Sequence, residues 1–124
     1  MGRAWGRLPQ RSDFLRVAAA GLRQGTPAFL LQAAAQDPAL AHLRIGFTAS
    51  RKLGNAVTRN RAKRRLRAAA DAALKELSGA SVDLVLVARA AAVSREFAAI
   101  SRELRSAAER MLRKLPAPPP APPS

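Results

Sequence analysis

The sequence predicts a two-layer sandwich of the α+β or α/β kind, with helices packed on one small sheet in the order α-β-β-α-β-α. Three observations carry that prediction. Val82 to Ala88 (VDLVLVA) is a short, almost wholly apolar run rich in β-branched residues, and Leu43 to Ser50 alternates apolar with polar or small side chains; both are strand patterns. The segment that follows Gly54-Asn55 and the one that follows Ser94 repeat apolar residues every three or four positions, the spacing of a helix with one buried face. The chain has 124 residues, which is room for one domain and one core of modest size.

Taken in chain order, residues 1–11 read as a basic, irregular arm that contains Trp5. Ser12 and Asp13 are helix-starting residues, and Phe14, Val17, Ala18 and Leu22 follow at helical spacing until Gly25-Thr26-Pro27, which predicts a first helix over 12–24. Ala28 to Ala35 is apolar and short, and Phe29, Leu30 and Leu31 favour a strand. Asp37-Pro38 marks a turn before the alternating strand at 43–50, so these two neighbours are expected to pair antiparallel. Gly54-Asn55 is a second turn, after which Leu66, Ala69, Ala70, Ala73 and Leu77 form one stripe of a long helix ended by Ser78-Gly79. The strand at 82–88 leads to a last helix capped by Ser94, with Phe97, Ile100, Leu104, Ala108, Met111 and Leu115 as its buried face and Pro116 as its stop. Residues 12–115 thus form one domain, and the proline-rich tail 116–124 is expected to be extended and disordered.

Charge points to the partner. Lys and Arg number 22 against eight Asp and Glu, a formal net charge of +14, and all but four of the cations are arginine. A domain this basic repels itself when free and implies a polyanion. Arginine's planar fork grips phosphate at two points, which favours nucleic acid over an anionic membrane. There is no cysteine and one histidine, His42, which excludes disulfides, thiol catalysis and Cys- or His-built zinc sites. No apolar run is long enough to span a bilayer, and MGRAWGRLPQRSDF lacks the apolar core of a signal peptide, so the expected location is the cytoplasm.

The densest signal is Arg51 to Arg67, RKLGNAVTRNRAKRRLR. It carries eight cations (Arg51, Lys52, Arg59, Arg61, Lys63, Arg64, Arg65, Arg67) and no acid. Like charges crowded on successive turns cost helix stability unless an anion neutralises them. With the apolar stripe turned inward, Asn60, Arg61, Arg64, Arg65 and Arg67 fall on the outer arc and Arg59 and Lys63 on its boundary. The helix N-terminus adds backbone N–H groups and a positive dipole end, and the Gly-Asn turn lets the backbone approach closely. These features together predict a phosphate-binding corner.

The same run, Ser50-Arg51-Lys52-Leu53-Gly54-Asn55-Ala56-Val57, then Arg59-Asn60-Arg61, Lys63-Arg64 and Arg67, resembles the signature of the bacterial ribonuclease P protein family. Arg7-Leu8, Asp13-Phe14, Arg44-Ile45-Gly46 and the stretch from Asp83 to Arg89 extend the resemblance over roughly residues 7–115. It implies a small α/β sandwich in which the segment between the third and fourth strands crosses over in the left-handed sense, against the usual right-handed rule. It also implies a protein that is not itself the catalyst. The family binds a large catalytic RNA that removes the 5′ leader of precursor tRNA with RNA-bound magnesium, and the protein holds the single-stranded leader between the sheet and the first helix. No organic cofactor, DNA or membrane partner is implied. Carried over, Arg51, Lys52, Arg59, Asn60, Arg61, Lys63, Arg64, Arg65 and Arg67 become the RNA-binding set, and Phe14, Thr48 and Lys52 line the leader cleft. Two positions depart from the family pattern: Ala18 stands where a second aromatic is usual and Gln32 where tyrosine is common, which shifts leader binding from stacking toward charge.

Three other classes fit less well. A ribosomal or ribosome-assembly protein shares the charge and size but lacks a reason for the Arg-Asn-Arg signature. A self-sufficient nuclease needs converging carboxylates, whereas the eight acids are scattered, with only Asp13 and Asp83 near predicted strand or cleft elements. A DNA-reading helix would have to stand clear of the fold, yet this one lies between two strands in sequence.

Overall fold

The computed structural model describes residues 5–37, 40 and 42–115. Five strands and three helices run β1 (Gly6–Arg7), α1 (Arg11–Ala19), β2 (Leu22–Gly25), β3 (Phe29–Ala35), β4 (Arg44–Thr48), α2 (Ala56–Ala73), β5 (Val82–Ala88) and α3 (Phe97–Lys114). The predicted order is contained in this one, with two short strands added. The sheet order is β1-β4-β5-β3-β2. β5 pairs antiparallel with β3, from Phe29 opposite Ala88 to Ala35 opposite Val82, and parallel with β4, from Arg44 beside Asp83 to Thr48 beside Val87.

The expected antiparallel pair of β3 with β4 does not form, because β5 lies between them. β5 is the most apolar strand and is buried along almost its whole length on both faces, so it takes the centre. α2 then carries the chain from β4 to its parallel neighbour β5.

Helix α1 is shorter than predicted. It ends at Ala19, and Gly21 at φ 82° adopts the left-handed conformation that terminates a helix. Leu22 to Gly25 leave it as β2, a hairpin partner of β3 closed by Thr26, whose N–H and hydroxyl both bond the carbonyl of Phe29 at 2.8 and 3.1 Å. The basic arm is also not irregular where it is described. Trp5 and Leu8 are buried, and Gly6–Arg7 pair parallel with β4 as β1. The indole of Trp5 packs on Phe47 with ring centroids 5.4 Å apart, so core packing claims it. Residues 1–4 and the tail 116–124 lie outside the described residues.

α2 and α3 cover one face of the sheet. Ala62, Leu66, Ala69, Ala70 and Ala73 of α2 and Ile100, Leu104, Ala107, Ala108 and Met111 of α3 meet Phe29, Leu31, Ile45, Leu84 and Leu86 from the strands. Alanines in the seam let the helices and sheet approach closely, while the few large side chains fill the core. α2 stops at Ala73, and Leu77 sits half-buried in a 3₁₀ turn over Lys75–Leu77. α3 starts at Phe97 after Glu96 rather than at Ser94, because residues 90–93 form a 3₁₀ turn first. Phe97 is 39% exposed and does not join the buried face, and Leu115 is half-buried.

The opposite face carries only α1 and a small cluster of Leu8, Val17, Ala34 and Val85, with Phe14 and Val87 packed on it. Nine residues of helix cannot cover a five-stranded sheet, and the part left open is the cleft described next.

Candidate nucleic-acid interface

Gly54 and Asn55 set the start of α2. Gly54 has φ 146°, a conformation other residues avoid, and a Cβ there would lie 3.2 Å from Thr58 Cβ and Cγ2. Asn55 caps the helix, its side-chain oxygen accepting from the N–H of Thr58 at 2.9 Å. The expected phosphate-binding corner is therefore partly filled by the protein's own cap. The basic ridge beyond it carries most of the exposed charge of the candidate interface.

On that ridge Asn60, Arg61 and Arg64 are exposed and point away from the core, while Arg59, Lys63 and Arg67 are half-buried with their stems along the helix flank. Arg51 and Lys52 are exposed on a 3₁₀ turn over Arg51–Leu53. Among the described residues, no salt bridge involves any of the eight cations from Arg51 to Arg67. Five of the eight acids are engaged elsewhere: Asp13 and Asp83 with Arg16 and Arg44, Glu103 with Arg95, and Glu76 and Glu109 with Arg105.

Two ridge residues face elsewhere than the helical projection placed them. Arg65 does not lie free on the outer arc; its guanidinium donates to the carbonyls of Ala92 at 2.8 Å and Arg95 at 2.7 Å, fastening α2 to the segment before α3. That is a structural job. Arg67 turns toward the sheet, its guanidinium carbon 5.6 Å from the centroid of Phe47.

Arg67 thereby reaches a cleft of about 980 Å³ between α1, the β1 edge and β4. Phe14, Leu15 and Ala18 of α1 form one wall, and Gln32, Gly46, Thr48 and Val85 belong to the sheet. The Phe14 ring lies directly on the backbone of Gly46; a Cβ there would come within 2.5 Å of the ring, so only glycine admits it. Phe14 is thus both a core residue and a cleft residue. Of the other two residues expected at a leader cleft, Thr48 lines this one and Lys52 does not. Ala18 and Gln32 both line it, so the two departures from the family's aromatic pattern fall on the cleft surface. Arg7, Arg11 and Arg67 also line it, and these the sequence reading did not assign to the cleft. The available signal was the alternation along β4, which puts Phe47 on the α2 side and Thr48 on the other.

At the far end of the same sheet face sits a buried carboxylate. Asp83 is fully buried and receives Nε and Nη2 of Arg44 at 2.9 and 2.8 Å, Gln36 Nε2 at 2.7 Å and Nη2 of Arg16. Burial alone would raise its pKa, but the hydrogen bonds from Arg44, Arg16 and Gln36 outweigh that and hold it below the usual carboxylate range. The same contact pushes the Arg44 pKa up. Arg16 also donates to the carbonyl of Ala35 at 3.1 Å, so the cluster ties α1 to β3, β4 and β5 at once. Among the described residues, no group of three or more His, Asp or Glu side chains is placed to hold a metal ion. Asp83 is occupied by Arg44, Arg16 and Gln36, and the neighbouring Asp13 pairs with the same two arginines.

The family described as Ribonuclease P matches residues 4–112. The ribonuclease P protein component of Ruegeria pomeroyi is 47% identical over 91% of this chain and 88% of its own length. That of Gluconacetobacter diazotrophicus is 44% identical over 87% and 89%. Among solved structures, the Staphylococcus aureus RNase P protein superposes with a TM-score of 0.68 at 26% identity, covering 84% of this chain and 93% of that one.

Proposed function

Since the chain belongs to the ribonuclease P protein family, we propose that it is the protein subunit of a bacterial ribonuclease P. In this reading it binds the catalytic RNA and the 5′ leader of precursor tRNA, and it supports magnesium-dependent removal of the leader. The observation that carries the reading is the run of eight cations from Arg51 to Arg67, none of them ion-paired among the described residues, six of them on a helix whose last arginine reaches an open cleft. Asn60, Arg61 and Arg64, with Arg59 and Lys63 at their flank, contact phosphates of the catalytic RNA. Arg51 and Lys52 extend that surface before the helix. The leader lies in the cleft, where Phe14 offers an aromatic surface, Thr48 and Gln32 offer hydrogen bonds, and Arg7, Arg11 and Arg67 offer charge. Ala18 and Gln32 leave fewer stacking surfaces than the family pattern, so the arginines carry more of the leader affinity.

The chain's own residues provide binding and positioning. In this reading magnesium would be held by the RNA and would supply the activation of water there; the protein's contribution is to neutralise phosphate charge and hold the substrate in register. The site of action is the cytoplasm. No helix among the described residues is long and apolar enough to cross a membrane.

The test is a reconstitution of the purified protein with a bacterial ribonuclease P RNA and a precursor tRNA, at low magnesium and moderate salt. Cleavage at the mature 5′ end only when both components are present is the expected result. RNA binding without rescue of cleavage would favour a ribosome-type role, and cutting by the protein alone would overturn the assignment of catalysis to RNA.

A further inference from the structure

α3 carries a second set of cations that the ridge on α2 does not account for. Its two acids are already engaged, Glu103 by Arg95 and Glu109 by Arg105. Arg102, Arg110 and Arg113 are exposed and have no ion pair among the described residues. With Ile100, Leu104 and Met111 facing the core, these three arginines and the exposed Ser106 fall on one outward arc of the helix. Arg113 in the last turn complements the helix dipole, but Arg102 and Arg110 lie too far from the C-terminus for that to explain them. Unpaired like charges at near-helical-repeat spacing again cost stability unless an anion covers them.

We propose that this arc is a second RNA contact, which grips the phosphate backbone of a double-stranded segment of the catalytic RNA while α2 holds another segment. The proposal rests on the functional reading above. Two features select duplex RNA over other polyanions. The arc has no aromatic side chain on which an unstacked base could rest, which disfavours a single strand such as the leader. It has no large apolar group either, which disfavours a lipid surface. Arg102 and Arg113 stand about 16 Å apart along the helix axis, so the arc spans several phosphates of a rigid backbone. α2 and α3 pack side by side in one layer, so one large folded RNA can engage both.

The absence of cysteine makes the test direct. Ser106→Cys and, separately, Asn60→Cys each give a single thiol for attachment of an iron-EDTA cleavage reagent. The holoenzyme is then assembled with bacterial ribonuclease P RNA and precursor tRNA. The proposal expects the probe at 106 to cut the catalytic RNA in a helical segment different from the one cut from position 60. Cuts from 60 but none from 106, or cuts from 106 in the tRNA only, overturn it. Cuts from neither position, with no rescue of cleavage, overturn the functional reading and this inference with it. As an independent arm, Arg102→Gln/Arg110→Gln/Arg113→Gln is expected to lower the slope of log affinity against log salt for the catalytic RNA by about two to three without lowering the thermal unfolding midpoint of the free protein. An unchanged slope overturns the proposal.

Discussion

One face of the sheet lies under two helices of 18 residues each, the other under a single helix of nine. Under the long pair the contacts are apolar, and the side chains that the two helices bury are alanine, leucine, isoleucine and methionine. Under the short helix four buried apolar residues share the face with a carboxylate held by two arginines and a glutamine, and the rest of the face is an open cleft. The difference separates two tasks. Dispersion and apolar burial on the closed face supply the folding free energy, whereas the open face leaves backbone and polar groups reachable by a ligand and fixes α1 with directional bonds instead of bulk packing.

Substitutions can break or sharpen that contrast. Leu66→Ala on the closed face removes a fully buried side chain from between α2 and the sheet, and should cost about 3 kcal/mol in urea unfolding. On the open face, Asp83→Asn should cost about 2 kcal/mol. That is below the roughly 3–5 kcal/mol of a fully buried broken pair, because the Arg16 side chain remains 41% exposed. Asp83 also predicts a pH signature. Its folded pKa is depressed, so its stabilisation is complete above the unfolded value near about pH 4 and is lost as pH falls through the folded one. The wild type should therefore lose stability in acid more steeply than Asp83→Asn.

Smaller in stability but sharper in function is Gln32→Tyr. It restores an aromatic to the cleft wall, and should strengthen binding of a leader-bearing precursor by about 1–3 kcal/mol if one base stacks on it, with no gain for a leaderless tRNA. The smallest effect on folding is expected for Arg61→Ala/Arg64→Ala, within about 0.5 kcal/mol, since both side chains are exposed and neither is ion-paired among the described residues. The same double variant should flatten the salt dependence of binding to the catalytic RNA by about two in slope.

The closed face was the more legible of the two. The stripe of Leu66, Ala69 and Ala73 and the run VDLVLVA read directly as helix and strand, because burial on one side imposes a period that the sequence must keep. β1 and β2 are illegible for the opposite reason. Gly6–Arg7 form only two residues of strand, and Leu22, the first residue of the four-residue β2, falls at the helical spacing of Phe14, Val17 and Ala18 although Gly21 has already ended the helix, so neither strand is long enough to show a period of its own. The pairing of β3 was misjudged because neighbours in sequence were taken as neighbours in space, and nothing local says that a later strand will intervene. At the candidate interface, charge density singles out α2, but helical projection alone gives Arg65 and Arg67 the same position as Arg64. What each guanidinium reaches depends on the carbonyls of Ala92 and Arg95 and on the ring of Phe47, which lie outside the helix in sequence.

The central position of β5 also governs when the protein can fold. As the chain leaves the ribosome, β1 finds its partner only once β4 has emerged, and β3 has only the four-residue β2 beside it until Val82–Ala88 appear. A lone two-stranded hairpin is marginal in water. The middle of the sheet is therefore completed late, after the whole of the basic α2 has already been made. The nascent chain thus exposes its most cationic segment beside ribosomal RNA before it owns a fold, and collapse into the native sheet is a late, cooperative event dominated by contacts distant in sequence.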